Sequence, residues 1–282
     1  MAGQVETQIV SVERMDEYSE LTLEPSGTSA ADGEAAPRGT IDPPSTWPET
    51  GAITLKDFKM KYRTNTPYVL HGISASVSGG EKVGICGRTG AGKSSLVSAL
   101  FRLADVQEGT ICIDGIDIIP QEPWLFQGSL RSNLDPTLEA PDSAMWKALA
   151  AVSLESAVKG AGGLDASVAE GGENWSQGQR QLICVARALL RGSKVVVLDE
   201  ASSSVDVSSD AILQNTIRTQ LAGCTVLTIA HRLNTIVDAD KIMVLDAGRV
   251  AEFDSPAKLT GDSSSAFSQL LAQAKAASEE TD

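Results

Sequence analysis

One eight-residue run constrains the chain more than any other: Gly87-Arg88-Thr89-Gly90-Ala91-Gly92-Lys93-Ser94. It has the form Gly-x-x-x-x-Gly-Lys-Ser/Thr, a loop that cradles phosphate groups. Its surroundings fit that chemistry. Lys82-Val83-Gly84-Ile85-Cys86 before it is short and apolar, as a buried strand is. After it, Leu96, Leu100 and Leu103 fall at helical spacing. Strand, glycine loop and helix together let backbone N–H groups curl inward onto phosphate oxygens, with the helix N-terminus adding partial positive charge. Lys93 is placed to reach the outer phosphates, and Ser94 to ligate Mg²⁺.

The 282 residues suffice for one large domain or two small ones, and 42% apolar residues predict a packed core. A net charge of −14 argues against a nucleic-acid partner, which needs a basic face. Residues 1–50 carry −8 of this and residues 262–282 carry −3, so both flanks read as solvated and flexible. Cys86, Cys112, Cys184 and Cys224 form no Cys-x-x-Cys pair and are expected to be buried free thiols in a reducing compartment. With two histidines, a Cys/His zinc site is not expected. No apolar run approaches the ~18–20 residues of a membrane span and no signal peptide is evident, so the chain is expected to be soluble and cytosolic.

Residues 4–21 read as one amphipathic helix and 22–50 as a Pro/Ser/Gly/Ala-rich linker. Strand patterns cover 53–62, 69–77 and 110–114. Residues 124–175 read as largely helical, most clearly from Ser143 to Val158. Ser176-Gln177-Gly178-Gln179 has capping-box form and opens a second strong helix that Gly192 stops. Apolar strands at 194–198, 225–229 and 241–245 alternate with helical stretches near 208–221 and 232–237, which predicts a parallel sheet covered by helices.

Val195-Val196-Val197-Leu198 ends in two carboxylates, Asp199 and Glu200. Asp199 can hold Mg²⁺, and Glu200 can polarise a water attacking a γ-phosphate. Ser176 and Gly178 form a second candidate phosphate site at a helix start. One chain with one ATP needs only one such site, whereas two facing chains can each donate theirs to the other. His231 follows the strand 225–229 on the expected edge and is a candidate γ-phosphate contact. Gln121, after Ile118-Ile119-Pro120, is a candidate for Mg²⁺ or the attacking water.

Together these residues resemble the ATP-binding-cassette (ABC) ATPases over roughly residues 51–260. Gly87–Ser94, with Ser95 behind it, is similar to that family's Walker A loop, and Val195–Asp199 to Walker B. Glu200 resembles the catalytic glutamate, Gln121 the Q-loop glutamine and His231 the switch histidine. Trp175-Ser176-Gln177-Gly178-Gln179 resembles the signature sequence, Ser203–Asp206 the D-loop, and Tyr62 the aromatic that stacks on adenine. Gly84–Leu96, Leu130–Pro136 and Glu170–Asn174 are similar to the second nucleotide-binding domain of the C subfamily, the multidrug-resistance-associated type. Glu200 agrees, since the first domain there usually carries Asp. Ser11–Tyr18 resembles the stretch after the last transmembrane helix.

The resemblance implies an α/β P-loop NTPase of the ABC ATPase type: a mostly parallel core sheet, an antiparallel β subdomain and a helical subdomain inserted at about 124–188. It implies a domain over 51–261 with a tail at 262–282, and ATP and Mg²⁺ as ligands. The implied partners are a second nucleotide-binding domain in trans and transmembrane domains at the cytoplasmic face, with homodimerisation when isolated. Trp175 and Gln177 depart from the commonest signature, Leu-Ser-Gly-Gly-Gln, at positions where the subfamily varies. A larger departure lies before Gln121. Family members carry there a longer connection with a short helix of the Leu-Arg-x-x-Leu type, whereas Ile118-Ile119-Pro120-Gln121 follows at once here. The expected consequence is strain, a missing core strand or a displaced Gln121. Two alternatives therefore stand beside an ATPase driving export: a weak or silent ATP-binding fragment, and an ABC ATPase with no transport role.

Overall fold

The computed structural model describes residues 49–63, 65–103, 106–114, 116–119, 124–199, 207–230 and 233–279. The expected helix at 4–21 and nearly all of the linker lie outside these residues. The described residues from 49 onward build two principal sheets and a helical part.

The first sheet is antiparallel, in the order β2-β1-β4: β1 (Ile53–Met60), β2 (Leu70–Val77) and β4 (Val106–Ile113). In β1, Ile53, Leu55, Phe58 and Met60 are all buried, although Leu55 and Phe58 are three apart. A bulge restores the phase. The register slips between Leu55 and Phe58, and Asp57 takes a left-handed φ of 42°. Neighbouring glycines make room for it. A Cβ on Gly109 would lie 2.3 Å from Asp57 O, and one on Gly72 would lie 2.8 Å from Asp57 Oδ1.

The second sheet has six strands in the order β11-β10-β3-β9-β8-β5. Five are parallel: β3 (Lys82–Cys86), β5 (Ile116–Ile119), β8 (Val195–Asp199), β9 (Thr225–Ile229) and β10 (Lys241–Asp246). Strand β11 (Arg249–Asp254) closes one edge antiparallel to β10. Apolar residues run almost without break along these strands because both faces are covered. Alternate residues feed different cores. Val195, Val197 and Ile229 pack with β1, β2 and helix α1 (Lys93–Leu100), whereas Val196, Leu198 and Val226 pack with the helical part. Likewise Ile242 and Val244 turn toward the C-terminal helices.

The helical part comprises α2 (Leu130–Leu134), α3 (Asp142–Ala151), α4 (Glu155–Gly160) and α5 (Gln177–Arg191), with a small pairing of β6 (Gly128–Ser129) and β7 (Ser167–Val168). Helix α6 (Val207–Gln220) follows β8. The single helix expected over Ser143–Val158 is two, because Ser153 adopts φ 58° and turns the chain between buried Val152 and Leu154. The helix expected near 232–237 is one short 3₁₀ turn, Leu233–Thr235.

Three further expectations need correction. The described part of the stretch after 261, residues 262–279, is not a flexible tail. After helix α7 (Pro256–Gly261), helix α8 (Ala266–Glu279) forms there; Phe267 is fully buried, and Glu252 accepts hydrogen bonds from Ala266 N (2.6 Å) and Phe267 N (3.1 Å), capping the α8 start. Apolar side chains at 267, 270 and 271 outweigh the net charge that suggested disorder. The four thiols are free, but Cys112 is exposed, since it alternates with the inward Ile111 and Ile113 on β4. Leu103 is exposed as well, because α1 ends at Leu100.

The shortened connection does not remove a core strand. β4 ends at Ile113, β5 begins at Ile116, and β5 pairs in parallel with β8 from Ile116↔Val195 to Ile119↔Leu198. Asp114 accepts hydrogen bonds at this crossing from the N–H groups of Glu49 (3.0 Å), Thr50 and Gly51 (2.9 Å). Burial works to raise its pKa, and the Gly51, Thr50 and Glu49 bonds together outweigh it and hold the carboxyl below the usual range.

Gly109→Ala should push a methyl into the bulge at a position whose φ is already +80°. The expected loss is about 1–3 kcal/mol, read as a lower thermal midpoint. An unchanged midpoint would contradict the bulge packing.

Candidate functional site

The phosphate-type loop leaves β3 at Cys86 and re-enters helix at Lys93. Gly87, Gly90 and Gly92 have φ of 148°, 80° and 103°, values that L side chains rarely adopt. Two of them are also pressed against backbone or core. A Cβ on Gly87 would lie 2.2 Å from Leu245 O, and one on Gly92 would lie 2.9 Å from Leu70 Cδ2. At Gly90 only the φ demands glycine, because an added Cβ would meet nothing within 4 Å. The β10–β11 turn buttresses the loop from behind: Gly248 N donates to Ala91 O (3.0 Å) while His71 N donates to Gly248 O (2.8 Å).

Lys93 is buried and Nζ donates to the carbonyls of Gly87 (2.8 Å) and Arg88 (3.2 Å). The ammonium is thus folded over its own loop. Arg88, Thr89, Gly90 and Ser94 are exposed, while Ala91, Gly92 and Ser95 are buried. The first-turn N–H groups of α1 have no carbonyl within the helix to receive them, which leaves an anion-favouring end beside the loop. Cys86, immediately before the loop, is buried, and burial pushes its thiol up to about 12, so it serves as packing.

Tyr62 stands beside the same helix. Its hydroxyl shares a hydrogen bond with Ser95 Oγ at 3.0 Å, yet the residue remains 53% exposed. A ring tethered at its hydroxyl and open on its surface can stack a flat heterocycle.

Asp199 ends β8, paired with Ile229 of β9, which in turn pairs with Ile85 of β3. Asp199 and the loop therefore lie at the same C-terminal edge of the sheet, two strand spacings apart, or about 10 Å. Glu200 follows Asp199, His231 follows Ala230 and Gln121 follows β5 by two positions; all three, with Ser203–Asp206, lie outside the described residues. Strands β5, β8 and β9 run parallel to β3 and end at this same edge.

A cleft of about 230 Å³ opens beside the loop, lined by Gly87, Arg88, Thr89, Lys93, Ala230, Leu233, Leu270 and Ala274. Leu270 and Ala274 belong to α8 and were not anticipated. The spacing of Phe267, Leu270 and Leu271 is the signal that could have found this helix. Ser176, Gly178 and Gln179 are not among the lining residues. They sit at the start of α5, where Gln179 N donates to Ser176 Oγ (3.2 Å) and Ser176 N donates to Gln179 Oε1 (3.0 Å). This capping box fixes the turn, leaving the Ser176 hydroxyl hydrogen available to donate outward. The fold thus places Tyr62 beside the helix that the loop opens and Asp199 on the loop's edge of the sheet.

The donor set suits Mg²⁺ carried on a nucleotide. Ser94 offers one hydroxyl and Asp199 one carboxylate, and among the described residues no group of three or more His, Cys, Asp or Glu gathers as a metal centre. Mg²⁺ typically takes one or two protein oxygens and completes its shell with phosphates and water. No helix among the described residues is long and apolar enough to cross a membrane.

Comparison with known proteins agrees with this geometry. The family model described as ABC transporter matches residues 70–203. The chain is 47% identical to ABC transporter C family member 5 of Arabidopsis thaliana, over 95% of the chain and 18% of that protein. It is 46% identical to C family member 3 of Dictyostelium discoideum, over 97% of the chain and 21% of that protein. With C family member 13 of Oryza sativa subsp. indica the identity is 44%, over 95% and 18%. The chain thus spans about a fifth of the length of these curated relatives. It belongs to the ABC transporters of the C family, whose ATP-binding domain it carries.

Proposed function

We propose that this chain binds ATP with Mg²⁺ and hydrolyses it, and that the whole protein uses the reaction to export a substrate across a membrane. The observation that carries the reading is the shared sheet edge. One edge presents the glycine loop with Lys93, the carboxylate of Asp199 and the chain positions leading to Gln121, Glu200 and His231.

In this reading adenine stacks on Tyr62 and the phosphates lie on Gly87, Arg88, Thr89, Gly90, Ala91, Gly92, Lys93, Ser94 and Ser95. Mg²⁺ supplies charge neutralisation when bound with ATP, and Ser94, Gln121 and Asp199 would hold it. The Lys93 ammonium, now on loop carbonyls, swings to the outer phosphates. Glu200 accepts the proton of the attacking water, and His231 steadies the γ-phosphate. The protein's work is mostly positioning and electrostatics. One chain with one nucleotide needs only one phosphate site, so Ser176, Gly178 and Gln179 at the α5 start serve a nucleotide held by a partner domain. That partner is another nucleotide-binding domain, this chain being the second of the pair. Transmembrane domains complete the transporter, with this domain on the cytoplasmic face; isolated chains would pair with each other. A transport-free ABC ATPase is disfavoured by the match of C-family transporters along 95% of the chain. The shortened crossing before Gln121 favours a second reading, ATP binding with weak turnover.

Two variants test the assignment. Lys93→Ala should weaken ATP binding about 10–100-fold, the worth of one charge-assisted contact, measured by equilibrium titration; unchanged affinity would remove the loop from the site. Glu200→Gln should keep ATP affinity within about two-fold yet cut phosphate release by about 10²–10⁴. Undiminished release would take Glu200 out of the reaction.

A further inference from the structure

Tyr62 stands two residues beyond the end of β1, and its ring is anchored at its tip, where the hydroxyl meets Ser95 Oγ at 3.0 Å. A ring held only at its tip swings about that bond, whereas stacking on a flat heterocycle depends on the plane of the ring. The plane is set once the main chain behind the ring is fixed as well. The outer face of the antiparallel sheet supplies that second point.

Lys59 and Lys61 alternate with buried Met60, so they point away from the core. Lys59 Nζ donates to Oε2 of Glu108 (2.5 Å), its partner directly across on β4, and Lys61 Nζ lies 5.4 Å from the centre of the Tyr68 ring. The Tyr68 hydroxyl donates to the other oxygen of the same carboxylate, Glu108 Oε1 (2.8 Å). Tyr68 comes two residues before β2, while Glu108 belongs to β4. Strand β1 lies between these two strands, so the Tyr68 side chain straps across the end of β1. The bonds from Lys59 and then Tyr68 hold the Glu108 carboxyl below the usual range, and the same contact raises the Tyr68 phenol. An ionised carboxylate thus accepts from both neighbours.

Two main-chain features bracket Tyr62 along the sequence. Behind it, Val69 N donates to Met60 O (2.8 Å). Ahead of it, Arg63 N donates to Thr66 Oγ1 (3.1 Å) and Thr66 N to Arg63 O (3.0 Å), which closes a turn. Residues 61 and 62 lie between these points, with Tyr62 held from the α1 side by Ser95 and Lys61 held from the outer side by Tyr68.

We propose that Tyr68 and Glu108 are positioning residues for the nucleotide base, acting through Lys61 and the main chain that carries the Tyr62 ring. The inference rests on the proposed stacking of adenine on Tyr62. Neither side chain needs to touch ATP. A ring already set in its stacking plane spares the cost of ordering it on binding. The phosphates, held on the glycine loop, gain nothing from the strap, so the effect belongs to the base alone.

The test uses the full chain with Tyr68→Phe, which keeps the ring over Lys61 and loses the bond to Glu108, and with Glu108→Ala, which loses both bonds. Each is made in the unaltered chain and in a Tyr62→Ala background. Equilibrium titration with ATP and with inorganic tripolyphosphate, both with Mg²⁺, gives the affinities. The expected result is ATP affinity weaker by about 3–10-fold, the worth of one hydrogen bond, with tripolyphosphate within about two-fold. In the Tyr62→Ala background the same changes should leave ATP affinity within about two-fold, because the ring they position is gone. A merely structural role would weaken both ligands together, and that result would overturn the proposal. So would unchanged ATP affinity in both variants, or an equal loss with and without Tyr62. If the unaltered chain binds tripolyphosphate as tightly as ATP, the stacking on Tyr62 fails and this inference fails with it, while the loop stands. If it binds neither, the ATP reading itself falls.

Discussion

The contact on which the rest of this structure depends is backbone on backbone: the glycine loop against the β10–β11 turn. Gly87 passes so close to Leu245 O, and Gly248 so close to Val69 O, that a Cβ on either would lie within 2.2 Å of the carbonyl. Ala91 O and His71 N are bridged through Gly248. This one junction ties the loop to the core sheet through β10 and to the antiparallel sheet through β2. It holds the loop's N–H groups in place before any ligand arrives, the preorganisation that phosphate binding uses. It also explains why glycine is required for different reasons at neighbouring positions, by close approach at 87 and 92 and by φ alone at 90.

The alternation of side chains along the core strands turns this local arrangement into a domain. Strands β8 and β9 send alternate residues to two faces, so the sheet binds α1 and the antiparallel sheet on one side and the helical part on the other, while β10 turns Ile242 and Val244 to the C-terminal helices. The shortened crossing survives because the sheet needs a strand beside β8, and Ile116–Ile119 has the length and register to supply it. Asp114 secures the crossing by accepting three backbone N–H groups at the start of the described chain.

Much of this was legible in the residues. Gly87–Ser94, Val195–Asp199 and Ser176–Gln179 each carry a local rule (loop glycines, an acid-ended buried strand, a capping box), and each rule is satisfied in the fold. The parallel sheet followed from β-branched runs that alternate with helices. What was not legible depended on tertiary partners. The helix at Ala266–Glu279 is stabilised by Phe267 entering a core made from β10 and by Glu252 from β11, neither visible in its own composition. The bulge at Asp57 needs Gly72 and Gly109 from other strands. The break at Ser153 reflects the inward demands of Val152 and Leu154. For the candidate site, Lys93 folds over the loop, Tyr62 bonds Ser95 and Asp199 ends β8, whereas Glu200, His231 and Gln121 lie outside the described residues; the roles of all six are proposals.

The central claim is that a chain with this shortened crossing still builds a working ATP site, because β5 supplies the strand that leads to Gln121. The most direct measurement is steady-state ATP hydrolysis by the purified chain beside a version with a family-length connection inserted between Gly115 and Ile116. The account predicts rates within about ten-fold of each other, since a ten-fold change is only about 1.4 kcal/mol of barrier. Hydrolysis by the lengthened version alone would contradict it, and would show that β5 forms at the cost of the geometry Gln121 requires.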